Sequence, residues 1–444
     1  MDHIRAWFMQ ILIGVYLVHT FFVIPHGDKM LAVLTFIVIV LLLNKLKGFS
    51  KVISSMMLLI GFILVMYTEQ YENVKNSLIV NLPLVVLLVT VPVLGFPLRF
   101  GKYDKQLSNF IKRYGRNDNR LFLAITTVFF IIGPVINMGS IKLIDNLLNK
   151  LSLSKGLLAR SYMQGFTATL LWSPFFASLL LVLNLVGVSL YSYLPFAIPV
   201  AITHLFVSNL LFSRIGKYDE LPLIANQAVR MKKIYELITV FILFFLAVFI
   251  IDWILTINMI TSVTIAACLI ASIWSIYLKS IHVFGNHLRE YRKKTILLSS
   301  NEVVLFLTAG FFGSVISNTT LGEYINRAIL VIGESSILLM ILSIILLTTA
   351  LSMIGVHQIV TISALAATVN PLVVGLEPVA FALTLMSAWI IATIVSPISA
   401  ANAIITTLVN RTYFEIAIKY NGPFIVLMTI VYTMCIYIVQ MYLS

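Results

Sequence analysis

Apolar runs of about twenty residues follow one another along nearly the whole chain, joined by short polar links. Lipid offers no water to backbone N–H and C=O groups, so runs like these must fold as helices or as a closed barrel. A bilayer-crossing helix needs roughly 20 residues and a barrel strand only about half that, so the run lengths select helices. The chain is 60% hydrophobic and 11% charged over 444 residues, too apolar to clothe a soluble surface. The predicted fold class is an all-α polytopic membrane protein, and no link is large enough to house a separate catalytic domain. The first run, Trp7 to Ile24, leads into Pro25-His26-Gly27-Asp28-Lys29 rather than a small-x-small cleavage site, so it reads as a retained helix. Cys268 and Cys435 both fall inside apolar runs and supply no disulfide framework.

The net charge of +13 raises the question of nucleic acid, and the distribution of that charge answers it. Of the 30 Lys and Arg residues, 23 lie at Arg5 or in segments 45–51, 99–120, 213–236, 279–294 and 411–420. All of these can face one side of a membrane, which is the positive-inside pattern of a cytoplasmic surface beside anionic lipid. Nucleic acid is therefore excluded as a partner. Spans are expected near 8–25, 30–46, 52–68, 78–98, 157–187, 190–212, 237–257, 259–279, 301–318, 376–410 and 421–443. That is about 11 transmembrane helices in a plasma-membrane protein, with the N-terminus cytoplasmic and the C-terminus outside. Leu107, Phe110, Ile111 and Tyr114 recur at helical spacing within 99–120, predicting an amphipathic helix on the inner surface.

Two of the long runs are interrupted in the same way. Trp172-Ser173-Pro174-Phe175 and Val395-Ser396-Pro397-Ile398 place a Ser-Pro inside an apolar helix, 223 residues apart. Proline removes a backbone donor and clashes with the preceding turn, so each helix should break. Two further segments, 121–150 and 335–372, break at Gly133-Pro134-Val135-Ile136-Asn137 and at Gly355-Val356-His357-Gln358, and read as re-entrant hairpins on the inner and outer side. Gly133 and Gly355 are 222 residues apart. The spacings predict an inverted repeat, as in transporters whose broken helices meet at mid-membrane. The expected divisions are 1–98, N-terminal scaffold spans; 99–212, a first repeat core with hairpin 121–150 and broken helix 157–187; 213–333, scaffold spans of the second repeat; and 334–444, a second core with hairpin 335–372 and broken helix 376–410.

With this layout, three stretches resemble the ion transporter superfamily, which holds divalent anion:sodium symporters, arsenite permeases and related secondary carriers. Val304 to Ile325 is similar to that group's glycine-rich span leading into an amphipathic arm, and Ala350 to Ala367 to its outer hairpin. Ser387 to Ile405 resembles its small-residue helix, proline break and Asn-Ala-Ile. The resemblance implies a permease working by alternating access of elevator type. Symporters of the group carry Ser-Asn-Thr at the hairpin tips, where it helps hold sodium and a substrate carboxylate. Neither tip here has it, and Ser317-Asn318-Thr319 stands instead at the end of a span. Weak or absent sodium dependence is the expectation that follows.

The residues able to bind a solute gather at the breaks. An unwound helix exposes N–H groups that attract anions and carbonyls suited to a cation. Ser173, Pro174 and Ser178 at the first break, and Ser396, Pro397, Ser399 and Asn402 at the second, are the substrate-binding candidates, with Gly133, Asn137, Gly355 and Gln358 from the hairpins. The competing role for each Ser or Asn is a helix–helix hydrogen bond. His357 and Thr361 are the candidates for coupling H+ or Na+, since histidine titrates near neutral pH. His204 inside a span is a weaker candidate for the same task, and Arg160 either faces an anion or snorkels to the interface. No metal spacing, phosphate-binding loop or nucleophile elbow occurs, so no catalytic residue and no cofactor is expected. The expected partners are a small anionic solute and the lipid bilayer, with a homodimer open. The alternative function is an integral membrane enzyme or translocator acting on lipid-linked sugars or polyprenyl carriers.

Overall fold

The computed structural model describes residues 2–69, 71–101, 103–114, 117–148, 153–215, 231–317 and 319–444, and it is built from helices with no strand among those residues. Among the described residues, ten helical segments are long and apolar enough to cross a membrane. Nine of them coincide with expected spans, and the tenth, Asp118–Ile136, is the first arm of the expected inner hairpin. The span expected at 30–46 is the 17-residue helix α2 (Gly27–Leu43), and the one expected at 157–187 is divided by its break.

The chain opens with α1 (Asp2–Phe22), α2 and α3 (Gly48–Thr68). The span expected as one helix at 78–98 is instead a chain of short pieces: α4 (Val74–Ile79), α5 (Leu82–Thr90), a 3-10 turn at Val91–Leu94 and α6 (Gly95–Phe100). Pro83, Pro92 and Pro97 explain the correction, since each removes a ladder donor. Helix α7 (Tyr103–Arg113) is the amphipathic segment, with Leu107 and Ile111 buried and Phe110 turned onto Tyr114, ring centroids 5.5 Å apart. Residues 102, 115–116 and 216–230 of the expected cytoplasmic segments, and Asn318, lie outside the described residues.

Next come α8 (Asp118–Ile136) and α9 (Gly139–Leu148), which pack together, then α10 (Lys155–Leu170), α11 (Ala177–Val186) and α12 (Leu190–Ile215). Helices α13 (Met231–Leu255) and α14 (Met259–Tyr277) form an antiparallel pair, followed by the surface helix α15 (Ile281–Glu290) and a π-helical turn at Tyr291–Thr295. The order of elements then recurs. Helix α16 (Ser300–Ser317) precedes the amphipathic α17 (Thr320–Ser335), the helix pair α18 (Ile337–Met353) and α19 (Gln358–Thr368), the divided helix α20 (Pro378–Val395) and α21 (Ala400–Val409), and α22 (Gly422–Leu443).

Burial sorts these helices by position. Every residue of α20 from Ala380 to Val395 is buried, against only Ile234, Leu237, Phe244 and Val248 of α13, so α20 is central while α13 turns Trp253, Ile254 and Ile250 outward. An all-apolar outward face needs hydrocarbon around it, and a helix apolar on every side needs other helices. Helix α10 is likewise buried along its length, packed against α8 as α20 is packed against α18. Two glycines permit close crossings. A Cβ on Gly310 of α16 would stand 2.6 Å from Asn81, whose Nδ2 donates to the Phe306 carbonyl at 2.9 Å. A Cβ on Gly133 of α8 would stand 2.8 Å from Thr169 of α10.

Candidate functional site

Both Ser-Pro breaks form. Helix α10 ends at Leu170 and α11 begins at Ala177; α20 ends at Val395 and α21 begins at Ala400. At the second break Ser396 is extended, with φ −78° and ψ 125°, and Ser399 caps α21 by accepting the Asn402 N–H on its Oγ at 3.2 Å. The carbonyl end of α20, expected to stand free for a cation, is closed by the chain itself. Asn402 Nδ2 donates to the carbonyls of Thr393 (3.2 Å), Ile394 (2.8 Å) and Ser396 (2.9 Å), and the Tyr413 hydroxyl donates to the carbonyl of Val395. The expectation fails because a buried carbonyl left unpaired is costly, and Asn402 supplies the missing donors.

The amide ends of the helices behave differently. Helix α19 is capped by His357, whose Nδ1 accepts the Ile359 N–H at 3.3 Å, and α21 is capped by Ser399. Helix α11 starts at Phe176 with no side-chain cap. The amides of Phe175 and Phe176 turn back onto Ser173, whereas those of Ala177 and Ser178 have no partner among the described residues. Helix α11 packs directly against α19 and α20 of the second half. Its N-terminus is thus buried and uncapped, with the electrostatic character that favours an anion.

Several polar side chains of the second half are buried and under-bonded. Gln358 links α19 to α20 through Nε2 to Thr393 Oγ1 at 3.3 Å, while its Oε1 has no partner. Thr361 Oγ1, Ser363 Oγ, Ser396 Oγ and Asn402 Oδ1 are also buried without a partner, as are Ser352 Oγ on α18 and Ser387 Oγ on α20. Native interiors pair most of their buried polar atoms, and seven of those without a partner among the described residues lie on this one helix pair and the one broken helix. The first break contributes only Trp172 Nε1 in that condition, and its surroundings are aromatic. Trp172 lies 5.0 Å from the Phe130 ring, Phe175 4.3 Å from Phe244, and Phe176 5.7 Å from Phe166. Pro174 is buried with them, whereas Pro397 is exposed.

Not every candidate belongs to this region. Gly133 and Pro134 are not at a tip but inside α8, and the turn comes at Asn137, with φ 56°, and Met138. A transmembrane helix tolerates proline when neighbours satisfy the freed groups, so Gly-Pro did not end this one. Asn137 serves the turn, its Oδ1 accepting from the Met138 N–H at 2.7 Å and its carbonyl from Ser140 Oγ at 2.6 Å. Gly355 does stand at the second tip, with φ +95°, a value that favours glycine. Arg160 donates from Nε to the Tyr420 carbonyl at 2.9 Å and so ties α10 to the chain before α22.

A buried polar network went unread in the sequence. Gln164 of α10 donates to Asn421 Oδ1 at 3.0 Å and accepts from Ser208 at 2.6 Å, and its own carbonyl pairs with His204 Nε2 at 3.0 Å. The other ring nitrogen of His204 pairs with the Tyr432 hydroxyl, joining α10, α12 and α22. Gln164, between the aromatic and apolar residues Met163, Gly165 and Phe166, was the available signal. His204 is fully bonded in this network and packed away from the breaks.

No protein-family model and no curated protein matches the sequence. The architecture does match a solved structure. It superposes on the crystal structure of the Alcanivorax borkumensis YdaH transporter, described as having an unusual topology, with a TM-score of 0.53. The match covers 83% of this chain and 87% of that chain at 15% identity.

Proposed function

We propose that this chain is a secondary active transporter of a small anionic solute, related to the ion transporter superfamily and working by alternating access. The observation that carries the proposal is that α11, whose N-terminus is buried and uncapped, packs against α19 and α20, two helices that carry buried polar side chains with no partner among the described residues. Amides and hydroxyls donate to an anion, and the Gln358 and Asn402 side-chain oxygens accept from its protonated groups or from a coupling H+ or Na+. The likeness to a transporter fold supports the same reading.

The packing supports a repeat of opposite orientation. Helix α8 packs on α10 as α18 does on α20, and α12 on α8 as α22 does on α18. The second half of each broken helix touches the second arm of the other unit's helix pair, α11 on α19 and α21 on α9. The cores 99–212 and 334–444 would move together, elevator fashion, against a scaffold of 1–98 and 213–333. Thermal stabilisation of the purified protein by a panel of organic anions tests the function, with sodium and pH varied separately. A ligand of the folded state raises its melting temperature by mass action. An anion that stabilises the wild type and loses its effect in Gln358→Ala is expected; equal stabilisation of both proteins overturns the site.

A further inference from the structure

A cavity lies away from the breaks, among helices of the proposed scaffold. It is a cleft of about 620 Å³ between α1, the bent α5–α6 segment, α14 and α15. Its walls are largely apolar, with Ile13, Val89, Val93, Phe284 and Leu288. Arg289 and Arg292, three residues apart, stand on the same lining, and both are exposed. Neither guanidinium has a hydrogen bond or ion pair among the described residues. Glu290, the carboxylate of this basic segment, is not part of the lining. The cleft wall is rigid, because the Tyr291 hydroxyl at the start of the π-helical turn donates to the Val89 carbonyl at 2.9 Å.

Two glycines show that the space is kept open. Gly14 of α1 and Gly285 of α15 both line the cleft, and a Cβ added to either meets nothing within 4 Å. Glycine inside a helix is a standing cost relative to any side chain, so two of them facing the same void preserve its volume. An apolar slot ending in two unpaired guanidiniums has the chemistry of one class of ligand, a hydrocarbon chain carrying an anionic phosphate. The segment 279–294 belongs to the basic set that the positive-inside pattern assigns to the cytoplasm, where the leaflet is anionic. We infer that this cleft binds an anionic glycerophospholipid of the cytoplasmic leaflet, its phosphate held by Arg289 and Arg292 and an acyl chain lying against Phe284, Val89 and Ile13.

The test is the melting temperature of the full-length protein in neutral detergent during titration with dioleoyl phosphatidylglycerol. Dioleoyl phosphatidylcholine and glycerol phosphate serve as parallel arms. Phosphatidylglycerol alone should give a saturable rise. The Arg289→Gln/Arg292→Gln variant should raise the concentration for half the effect about tenfold or more, the loss expected when a charge-assisted bond to phosphate is removed. Gly285→Trp and Gly14→Leu extend a side chain into the cleft from positions where a Cβ meets nothing within 4 Å, so they should keep the lipid-free melting temperature and lose the response. An equal effect of phosphatidylcholine, an equal effect of glycerol phosphate, or wild-type responses in the two glycine variants would each overturn the assignment.

Discussion

Ser396 and Asn402 stand six residues apart at the same break, yet the structure gives them opposite tasks. Asn402 spends both amide hydrogens on the carbonyls at the end of α20, so Asn402→Ala leaves buried acceptors unpaired. The expected result is a fold loosened by about 2–4 kcal/mol, read as a lower melting temperature whether or not a solute is present. Ser396 Oγ has no partner among the described residues, so Ser396→Ala should leave the melting temperature in place and weaken anion-induced stabilisation by ~1–2 kcal/mol. Stabilisation that survives Ser396→Ala while Asn402→Ala folds normally would reverse these assignments. The sequence pointed to both residues through Ser-Pro and Asn-Ala-Ile, but it could not divide them. Which way an amide points depends on the turn between α20 and α21, and that turn is closed by Tyr413, eleven residues beyond Asn402. Gln164 and Asn421 were missed for a similar reason, since their pairing spans 257 residues.

At the scale of elements, proline and glycine were legible where they end a helix and misleading where they lie within one. Ser173-Pro174 and Ser396-Pro397 both coincide with observed breaks because each serine is followed by residues that cap or turn the chain. Gly133-Pro134 does not, because α8 continues to Asn137 and the glycine serves the crossing with Thr169. Gly133→Val should therefore destabilise the protein through that contact without altering anion selectivity, as melting curves with and without anion would show. Pro174→Ala and Pro397→Ala should abolish the anion response while leaving expression largely intact, since a repaired helix withdraws the amide end of α11 or competes with the Asn402 clamp. A normal response in both would make the breaks packing devices only. His357 is the cap of α19, and Asn keeps a cap acceptor while removing a titrating ring. His357→Asn should keep the melting temperature and flatten the pH dependence of anion binding. A pH profile unchanged by this substitution, together with strong sodium dependence, would count against proton coupling.

The whole molecule was the most legible scale, because hydropathy and charge act over whole helices and average out local detail. The positions of nearly all spans and of the amphipathic α7 and α17 follow from run length and periodicity, whereas the fragmentation of 74–100 needed three prolines to be weighed together. The opposite orientation proposed for the two units is argued from charge bias and from the cross-packing of α11 with α19 and α21 with α9. Cysteines placed at Lys105 and Ile325 should label from opposite faces of the membrane, and labelling of both from one face would end the inverted-repeat account. The central claim is that the breaks form a site exposed in turn to each side. The direct test is Ser396→Cys in a chain whose Cys268 and Cys435 are replaced by Ser, treated with a membrane-impermeant thiol reagent in right-side-out and in inside-out vesicles. Alternating access predicts labelling of the introduced thiol from both sides, protected in each case by the stabilising anion. Labelling from one side only, or from neither, would contradict it.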